Sequence, residues 1–214
     1  MHVLITGANR GVGAALARAY RARGDEVTGT ARDGSAGITL NVADPASVRA
    51  MAQALAGRPI DLLICNAGVL MDRDQKLDTG YAPQLWAQTF AVNVTGVFLT
   101  VQALLPNLRA ARGAKVAIIS SQMGSSQKAT GSSLIYRASK AAATNLACNL
   151  SALLADEGIA VGSYHPGWVQ TDMGGSSADI TPEQSAAGLI ARFDALGPGT
   201  TGCFETWDGR AHPF

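Results

Sequence analysis

Thr6-Gly7-Ala8-Asn9-Arg10-Gly11-Val12-Gly13 is the stretch that decides the fold of this 214-residue chain. It follows a short apolar run, residues 2–6, and precedes a stretch of helical period, residues 14–23. Glycines at a strand-to-helix junction let the backbone turn tightly and approach a pyrophosphate, whose charge then rests on free amides and the positive end of the helix dipole. The stretch predicts a dinucleotide-binding turn, and an ordinary strand-to-helix loop is the alternative.

Apolar, β-branched runs alternate with helix-length stretches on the carboxyl side of this turn. Residues 2–6, 26–30, 60–65, 115–120 and 159–164 are strand candidates, and residues 37–40 and 202–206 are weaker ones. Parallel strands need long crossovers, and strands that are apolar throughout are covered on both faces. The pattern predicts an α/β, doubly wound Rossmann fold, with a mostly parallel sheet of about seven strands and helices on both faces.

Composition bounds the class of protein. A length of 214 residues with 47% hydrophobic and 15% charged residues fits a single domain, residues 1–214. The net charge of +1 predicts no binding to nucleic acid or to an anionic membrane. No signal-peptide core and no apolar run of about 18 residues are recognised, so we expect a soluble, cytoplasmic protein. Three cysteines without CxxC spacing predict neither disulfides nor a metal site.

Two long helices are predicted, over residues 83–105 and 133–155. Apolar residues recur every three or four positions in the first and form one packing stripe: Trp86, Phe90, Val94, Val97, Phe98, Val101 and Leu105. In the second helix, Leu146, Leu150, Leu153 and Leu154 continue such a face.

Tyr136 and Lys140 stand four positions apart in the second helix and therefore project from one face. A neighbouring ammonium favours the phenolate, and typically lowers the pKa of such a group by about 1 to 3 units. A phenol adjusted in this way is suited to general acid/base catalysis near neutrality. The alternative is a surface pair in which the tyrosine packs and the lysine is solvated.

Together these motifs resemble the short-chain dehydrogenase/reductase family. The matching motifs, in order, are the TGxxxGxG turn, Asn66-Ala67-Gly68, Asn93, Ser120-Ser121, Tyr136-x-x-x-Lys140 and Pro166-Gly167-x-x-x-Thr171. Cys65 departs from the family's NNAG turn at its first position. The stretches YRASKAA and HPGWVQTDMGG are most similar to the branch that contains C-factor and sniffer-type carbonyl reductases.

The resemblance implies an NAD(P)-dependent oxidoreductase that interconverts a carbonyl and an alcohol by hydride transfer. In this mechanism Tyr136 is the general acid/base, Ser121 bonds the substrate oxygen, Lys140 bonds the nicotinamide ribose, and Asn93 holds a water in a proton relay. Ser121 precedes Tyr136 by fifteen residues, further than in most of the family, so Ser120 and Ser125 remain rivals.

Charge at the end of the second strand predicts the cofactor. Ala31 stands where NAD enzymes place an acid, and Arg32 with Arg10 suits a 2′-phosphate. We therefore expect NADP(H) in preference to NAD(H), although the negative charge of Asp33 argues against a 2′-phosphate here. The alternative is that both arginines are simply solvated on exposed loops. The predicted cofactor-binding residues are Gly7, Asn9, Arg10, Gly11, Val12, Gly13, Arg32, Asn41, Val42, Asn66, Ala67, Gly68, Tyr136, Lys140, Pro166, Gly167, Val169 and Thr171.

A second function stays open, namely a cofactor-binding signalling or regulatory protein of the C-factor type with low turnover. A serine hydrolase is disfavoured because the chain has no GxSxG elbow. The resemblance further implies a homodimer or homotetramer formed through the two long helices. The expected partner is a small carbonyl or alcohol, which the sequence does not identify. We expect its binding site to be lined by parts of residues 71–83, 122–134 and 174–181.

Overall fold

Seven strands form one sheet in the computed structural model, which describes residues 1–214. They are β1 (His2–Ile5), β2 (Glu26–Ala31), β3 (Gly37–Thr39), β4 (Leu62–Cys65), β5 (Lys115–Ile119), β6 (Ala160–His165) and β7 (Phe204–Thr206). The order is β3-β2-β1-β4-β5-β6-β7, and every neighbouring pair is parallel. The predicted doubly wound, parallel sheet is confirmed.

Helices cover both faces of the sheet. They are α1 (Gly11–Ala22), α2 (Pro45–Ala54), α3 (Pro83–Phe90), α4 (Gly96–Ala110), α5 (Leu134–Leu154) and α6 (Pro182–Ala195). Apolar side chains of α1 and α6 pack on one face in a cluster of 15 buried residues. Those of α2, α4 and α5 pack on the other face in a cluster of 22. The central strands β1 and β4 are buried at every position, which explains why their sequences are apolar throughout.

The chain reverses its winding direction at β1. It proceeds outward through β2 to β3, then crosses back so that β4 pairs with the other side of β1. Such a reversal opens a crevice at the carboxyl ends of the strands, where ligands of doubly wound sheets bind. Only a short turn, without a helix, connects β2 to β3, as the brief stretch before residue 37 predicts.

The first long helix differs from its prediction. It extends to Ala110, and a π-helical turn, Ala91–Thr95, separates α3 from α4. The expected packing stripe is wrong at Trp86 and Phe98, which are 37% and 40% exposed. Leu153 on α5 is likewise 72% exposed, whereas Leu150 and Leu154 of the same helix pack into the core.

By length and composition alone, the continuous helix Pro83–Ala110 is long and apolar enough to cross a membrane. Here Val97, Val101, Leu104 and Leu108 of this helix pack into the core on one face of the sheet. These four apolar side chains therefore cover the sheet.

Candidate active site

A cavity of about 940 Å³ opens at the carboxyl ends of the strands. All of the predicted cofactor-binding residues line it, from Gly7 in the first turn to Thr171 after β6, and so do Ser121, Tyr136 and Lys140. Asn93 is the one predicted site residue that is absent from its lining. The cavity therefore brings the predicted phosphate turn and the predicted acid/base pair to one place.

Glycines let the first turn bend tightly and let α1 pack directly against it. Gly7 and Gly11 have φ of 66° and 53°, in the left-handed region that glycine favours. A Cβ at Gly13 would lie 2.2 Å from the Gly7 carbonyl oxygen and 2.5 Å from the Asn66 Nδ2. Arg10, the N-cap of α1, makes no side-chain capping bond. The amides at the start of α1 thus face the cavity uncapped, which is the arrangement that binds a pyrophosphate.

Asn66 braces this turn from the next strand. Its Nδ2 donates to the carbonyl oxygens of Thr6 and Gly7, both at 2.9 Å. In return, the Thr6 hydroxyl accepts from the amides of Asn66 and Ala67, both at 3.0 Å. The side chain of Asn66 therefore positions the phosphate turn, and this explains why an asparagine follows β4.

Basic side chains gather where the adenosine end of a dinucleotide would lie. Arg32 follows the buried Ala31 and is exposed, and Asp33 bonds the amide and hydroxyl of Ser35 in its own turn. Arg10 pairs with Asp172 in the segment after β6, with 2.7 Å between Nη1 and Oδ2. Arg32 makes no salt bridge. Arg10, by contrast, has to give up its pairing with Asp172 in order to bind a phosphate.

Asn41 and Val42 form the floor at this end. The Asn41 Oδ1 accepts from the Ala43 amide at 3.2 Å, and Val42 is buried against Gly96 of α4. At the other end, the Thr171 hydroxyl accepts from the Gly174 amide at 3.1 Å and donates to the Val169 carbonyl at 3.3 Å. In both segments, side-chain hydrogen bonds therefore hold the local backbone beside the cavity.

Tyr136 and Lys140 lie together on α5, with the Lys140 Nζ 5.7 Å from the centre of the phenol ring. The expected lowering of the phenol pKa is wrong for this structure. Burial raises the pKa of Tyr136 to about 12, and the nearby Ser121 hydroxyl only partly offsets it. The Lys140 ammonium donates to the Ile119 carbonyl at 2.8 Å, and burial lowers its own pKa to about 8. Burial, which the spacing did not include, is the largest cause of the raised Tyr136 pKa, while the ammonium is bonded to the Ile119 carbonyl.

The three rival serines lie in different environments. Ser120 is buried and donates to the Lys140 carbonyl at 3.0 Å, with the Thr144 hydroxyl 2.6 Å away. Ser125 donates to the Phe214 carbonyl at 3.3 Å and does not line the cavity. Ser121 lines the cavity next to the Tyr136 phenol, and its oxygen accepts from the Met123 amide at 3.1 Å. This geometry favours Ser121 over its rivals.

Asn93 lies beneath the cavity, in the π-helical turn. Its Oδ1 accepts from the Val69 amide at 2.9 Å, and its Nδ2 donates to the Val69 carbonyl at 2.9 Å and to the Ser139 hydroxyl at 3.0 Å. Both amide hydrogens are therefore used in holding the segment after β4 against α5. The Asn93 side chain therefore has no free donor for the water of the expected proton relay.

Several residues of the site escaped the sequence analysis. Asp72 is fully buried beside the start of α5, and Asp172 is the partner of Arg10. Arg73, in the first of the three expected substrate segments, lines the cavity and donates to the carbonyl of Met173, which directly precedes the third segment. Trp168 lies between those predicted segments and also lines the cavity. None of these contacts follows from spacing, because each joins segments far apart in the chain.

Comparison with known proteins gives three findings. The family model described as short chain dehydrogenase matches residues 1–181. The 1-hydroxy-2-glutathionyl-2-methyl-3-butene dehydrogenase of Rhodococcus sp. (strain AD45) is 36% identical over 224 residues, which cover 97% of this chain and 96% of that protein. The C-signal of Myxococcus xanthus is 38% identical over 168 residues, which cover 78% of this chain and 100% of that protein.

Among solved structures, an NADPH-bound carbonyl reductase from chicken fatty liver superposes with a TM-score of 0.91 at 31% identity. The match covers 100% of this chain and 98% of that chain. The likeness therefore includes every strand and helix that forms the cavity.

Proposed function

Because the chain belongs to the short-chain dehydrogenase family, near the branch of C-factor and sniffer-type carbonyl reductases, we propose that it is an NADP(H)-dependent carbonyl reductase or alcohol dehydrogenase. The observation that carries this proposal is the common cavity. Tyr136, Ser121 and Lys140 line the same space as the glycine-rich turn, so a proton donor and a phosphate site lie in one crevice.

The residues present fit a dinucleotide. The left-handed turn at Gly7 and Gly11 and the uncapped start of α1 suit a pyrophosphate, which Gly11 and Val12 would hold through their amides. Arg32 and Arg10 would hold a 2′-phosphate, and Ala31 leaves no acid to oppose it. The similar protein from chicken is described as NADPH-bound, which supports NADP(H) as the preferred cofactor, with NAD(H) as the weaker one.

For catalysis, NADPH supplies a hydride to the carbonyl carbon when it is bound. Tyr136 gives its phenolic proton to the substrate oxygen as that oxygen gains charge, so that the C=O π bond is replaced by C–H and O–H bonds. The phenolate that remains recovers a proton from solvent. The Tyr136 phenol, whose pKa burial raises, is protonated at neutral pH as this step requires, and a tyrosine of ordinary pKa would be protonated there too.

Two further side chains support the reacting oxygen and the cofactor. The Ser121 hydroxyl, next to the Tyr136 phenol, is proposed to donate to the substrate oxygen and stabilise its developing charge. Lys140 is proposed to bond the ribose hydroxyls next to the nicotinamide, and Asn93 to keep the neighbouring Val69 segment in register. Beyond them, Met123, Trp168 and Met173 offer an apolar wall for the body of the substrate.

The proposed assembly is a homodimer or homotetramer in the cytoplasm. Trp86, Phe98 and Leu153 expose large apolar side chains on the two long helices, which supports burial of these helices between subunits. Three free thiols agree with a reducing compartment. A monomer in sedimentation at micromolar concentration would contradict the proposed assembly.

A second candidate is a regulatory protein that binds the cofactor with little turnover, which the likeness to the C-signal favours. A single experiment separates the two. NADPH absorbance is followed with a panel of aldehydes, ketones and quinones, and NADPH binding is titrated in parallel. The enzyme proposal expects carbonyl-dependent NADPH oxidation. Tight NADPH binding with no oxidation by any member of a broad panel would favour the regulatory protein.

A further inference from the structure

Arg73 is a cation of the cavity that the proposed mechanism does not use. Four arginines line the cavity: Arg10, Arg18, Arg32 and Arg73. Arg10 and Arg18 are each paired with a carboxylate, and Arg32 is the proposed site of the 2′-phosphate. Arg73 makes no salt bridge, so its positive charge has no partner within the protein.

Two contacts place Arg73 at the reacting end of the cavity. Asp72, the residue before it, is buried and caps α5: its Oδ2 accepts from the Ile135 amide at 2.7 Å and from the Tyr136 amide at 3.3 Å. Arg73 itself donates from Nη2 to the Met173 carbonyl. Because Tyr136 and Met173 both line the cavity, Arg73 is held between the helix of the proposed proton donor and the segment after β6.

The guanidinium of Arg73 keeps donors for a ligand. Its planar fork carries several N–H groups, and Nη2 is the one nitrogen that bonds a protein acceptor. Arg73 is exposed and lines the cavity, so the remaining N–H groups are accessible from there. A carboxylate accepts two parallel bonds from such a fork, whereas the ammonium of a lysine offers only a point charge.

No carboxylate of the cavity competes for this site. Asp33 and Asp172 are the acidic residues in its lining. Asp33 bonds within its own turn at the adenosine end, and Asp172 is already paired with an arginine. The segment that contacts Arg73 contributes apolar side chains to the cavity, Trp168 and Met173. The cavity therefore offers an unopposed positive charge beside an apolar wall.

We infer that Arg73 binds an anionic group of the substrate, so that the carbonyl compound reduced at this site carries a carboxylate on an apolar body. The inference rests on the proposed function, because it names the substrate class of the same cavity. Arg73 holds the acid while Ser121 and Tyr136 bond the carbonyl oxygen. A substrate fixed at both ends enters the reaction already oriented, which is a recognised source of rate enhancement.

A phosphate of the cofactor is the other anion that enters this cavity. The proposed pyrophosphate site is the start of α1, and the proposed 2′-phosphate site is Arg32, so the cofactor phosphates have sites of their own. This division favours the substrate as the source of the anion. The two sources differ in their consequences, because loss of a pyrophosphate contact weakens the binding of NADPH and NADH alike.

The test compares linear aldehydes that end in a carboxylate with their methyl esters, over a series of chain lengths. NADPH oxidation gives kcat and KM for each compound with the wild type and with Arg73→Gln. At the best chain length we expect the wild type to favour the acid about tenfold in kcat/KM, as for a hydrogen bond between charged groups. Arg73→Gln should remove this preference by raising KM for the acid, and should change kcat/KM for the ester less than about threefold.

Controls separate the anion site from a role in loop shape. Arg49→Gln, on an exposed arginine of α2 outside the cavity, should keep the acid preference. Arg73→Lys should restore it only in part, because an ammonium lacks the fork. Absence of an acid preference at every chain length, or equal losses for acid and ester in Arg73→Gln, overturns the inference. Equal weakening of NADPH and NADH binding in Arg73→Gln assigns the charge to the cofactor and also overturns it.

A binding measurement keeps this inference apart from the proposed function. Calorimetry follows the same acids and esters added to the protein saturated with NADP⁺, where no hydride is available for reduction. Binding of the acids that Arg73→Gln abolishes supports the anion site even if no aldehyde is reduced, in which case the proposed function alone fails. Reduction of acids and esters at equal rates leaves the proposed function standing and refutes the anion site.

Discussion

Replacing Arg32 by alanine tests the basis of the cofactor preference. Arg32 is exposed at the cavity wall and makes no salt bridge, so the free protein loses little when it is removed. A hydrogen bond to a charged group contributes about 1.5–3 kcal/mol, and about 1.4 kcal/mol is a tenfold change in Kd. We expect Arg32→Ala to weaken NADPH binding about 10- to 150-fold and to change NADH binding less than about threefold.

The second arginine should show a smaller effect. Arg10 is already paired with Asp172, and both side chains are mostly exposed, at 66% and 78%. An exposed pair contributes about 0.2–1 kcal/mol, which a 2′-phosphate has to displace. Asp172→Asn releases Arg10 from this competition, so NADPH binding should tighten by at most about fivefold.

Equilibrium titration of NADPH and NADH, followed by nicotinamide fluorescence, measures these changes. Arg49→Ala, an exposed arginine of α2 outside the cavity, is the matched control and should leave both affinities unchanged. The effect of Arg32 should also shrink as salt is added, because exposed charges are screened. Equal weakening of NADPH and NADH, or an unchanged NADPH affinity in Arg32→Ala, would refute the assignment of the 2′-phosphate site.

Three further changes probe the rest of the site. Ser121→Ala should lower kcat about 10²- to 10³-fold with little change in NADPH binding, whereas Ser125→Ala should retain wild-type kcat; the reverse pattern would move the role to Ser125. Asn66→Leu leaves two carbonyls of the glycine-rich turn without donors, so urea unfolding should show a loss of about 2–4 kcal/mol, and an unchanged midpoint would contradict the bracing role. Burial lowers the pKa of His165 to about 4, below its unfolded value of about 6.5. The contribution of the neutral imidazole to the free energy of unfolding is therefore fully present above about pH 6.5 and is lost as pH falls toward 4, by at most about 3 kcal/mol. His165→Gln should flatten that slope, and a slope that persists unchanged would exclude His165 as its source.

The parts of the fold that were predicted from the sequence depend on local patterns. Apolar runs between turn residues indicate strands, and the glycine spacing after Thr6 identifies a tight strand-to-helix turn without knowledge of distant contacts. The short connection before residue 37 is equally local, because it has too few residues for a crossover helix. For the same reason most of the cavity-lining residues agree with the motifs, since every motif except Asn93 and Tyr136-x-x-x-Lys140 follows directly after a strand.

The features that the sequence did not reveal depend on contacts between distant segments. Asp72 caps a helix far along the chain, and Arg10 pairs with Asp172, which is 162 residues away in sequence. The direction of the Tyr136 pKa was wrong because the spacing to Lys140 describes a charge pair and contains no information on burial. The π-helical turn around Asn93 likewise depends on the packing of the helix against its neighbours, which periodicity does not describe.

The most direct test of the proposed chemistry is the turnover of Tyr136→Phe. The variant removes one oxygen from a buried ring, so the cavity and the NADPH affinity should be preserved. With the carbonyl that the wild type reduces fastest, we expect kcat to fall by at least about 10²- to 10⁴-fold while the Kd for NADPH changes less than about threefold. Full turnover by Tyr136→Phe would show that this phenol does not deliver the proton, and the proposed mechanism would be wrong.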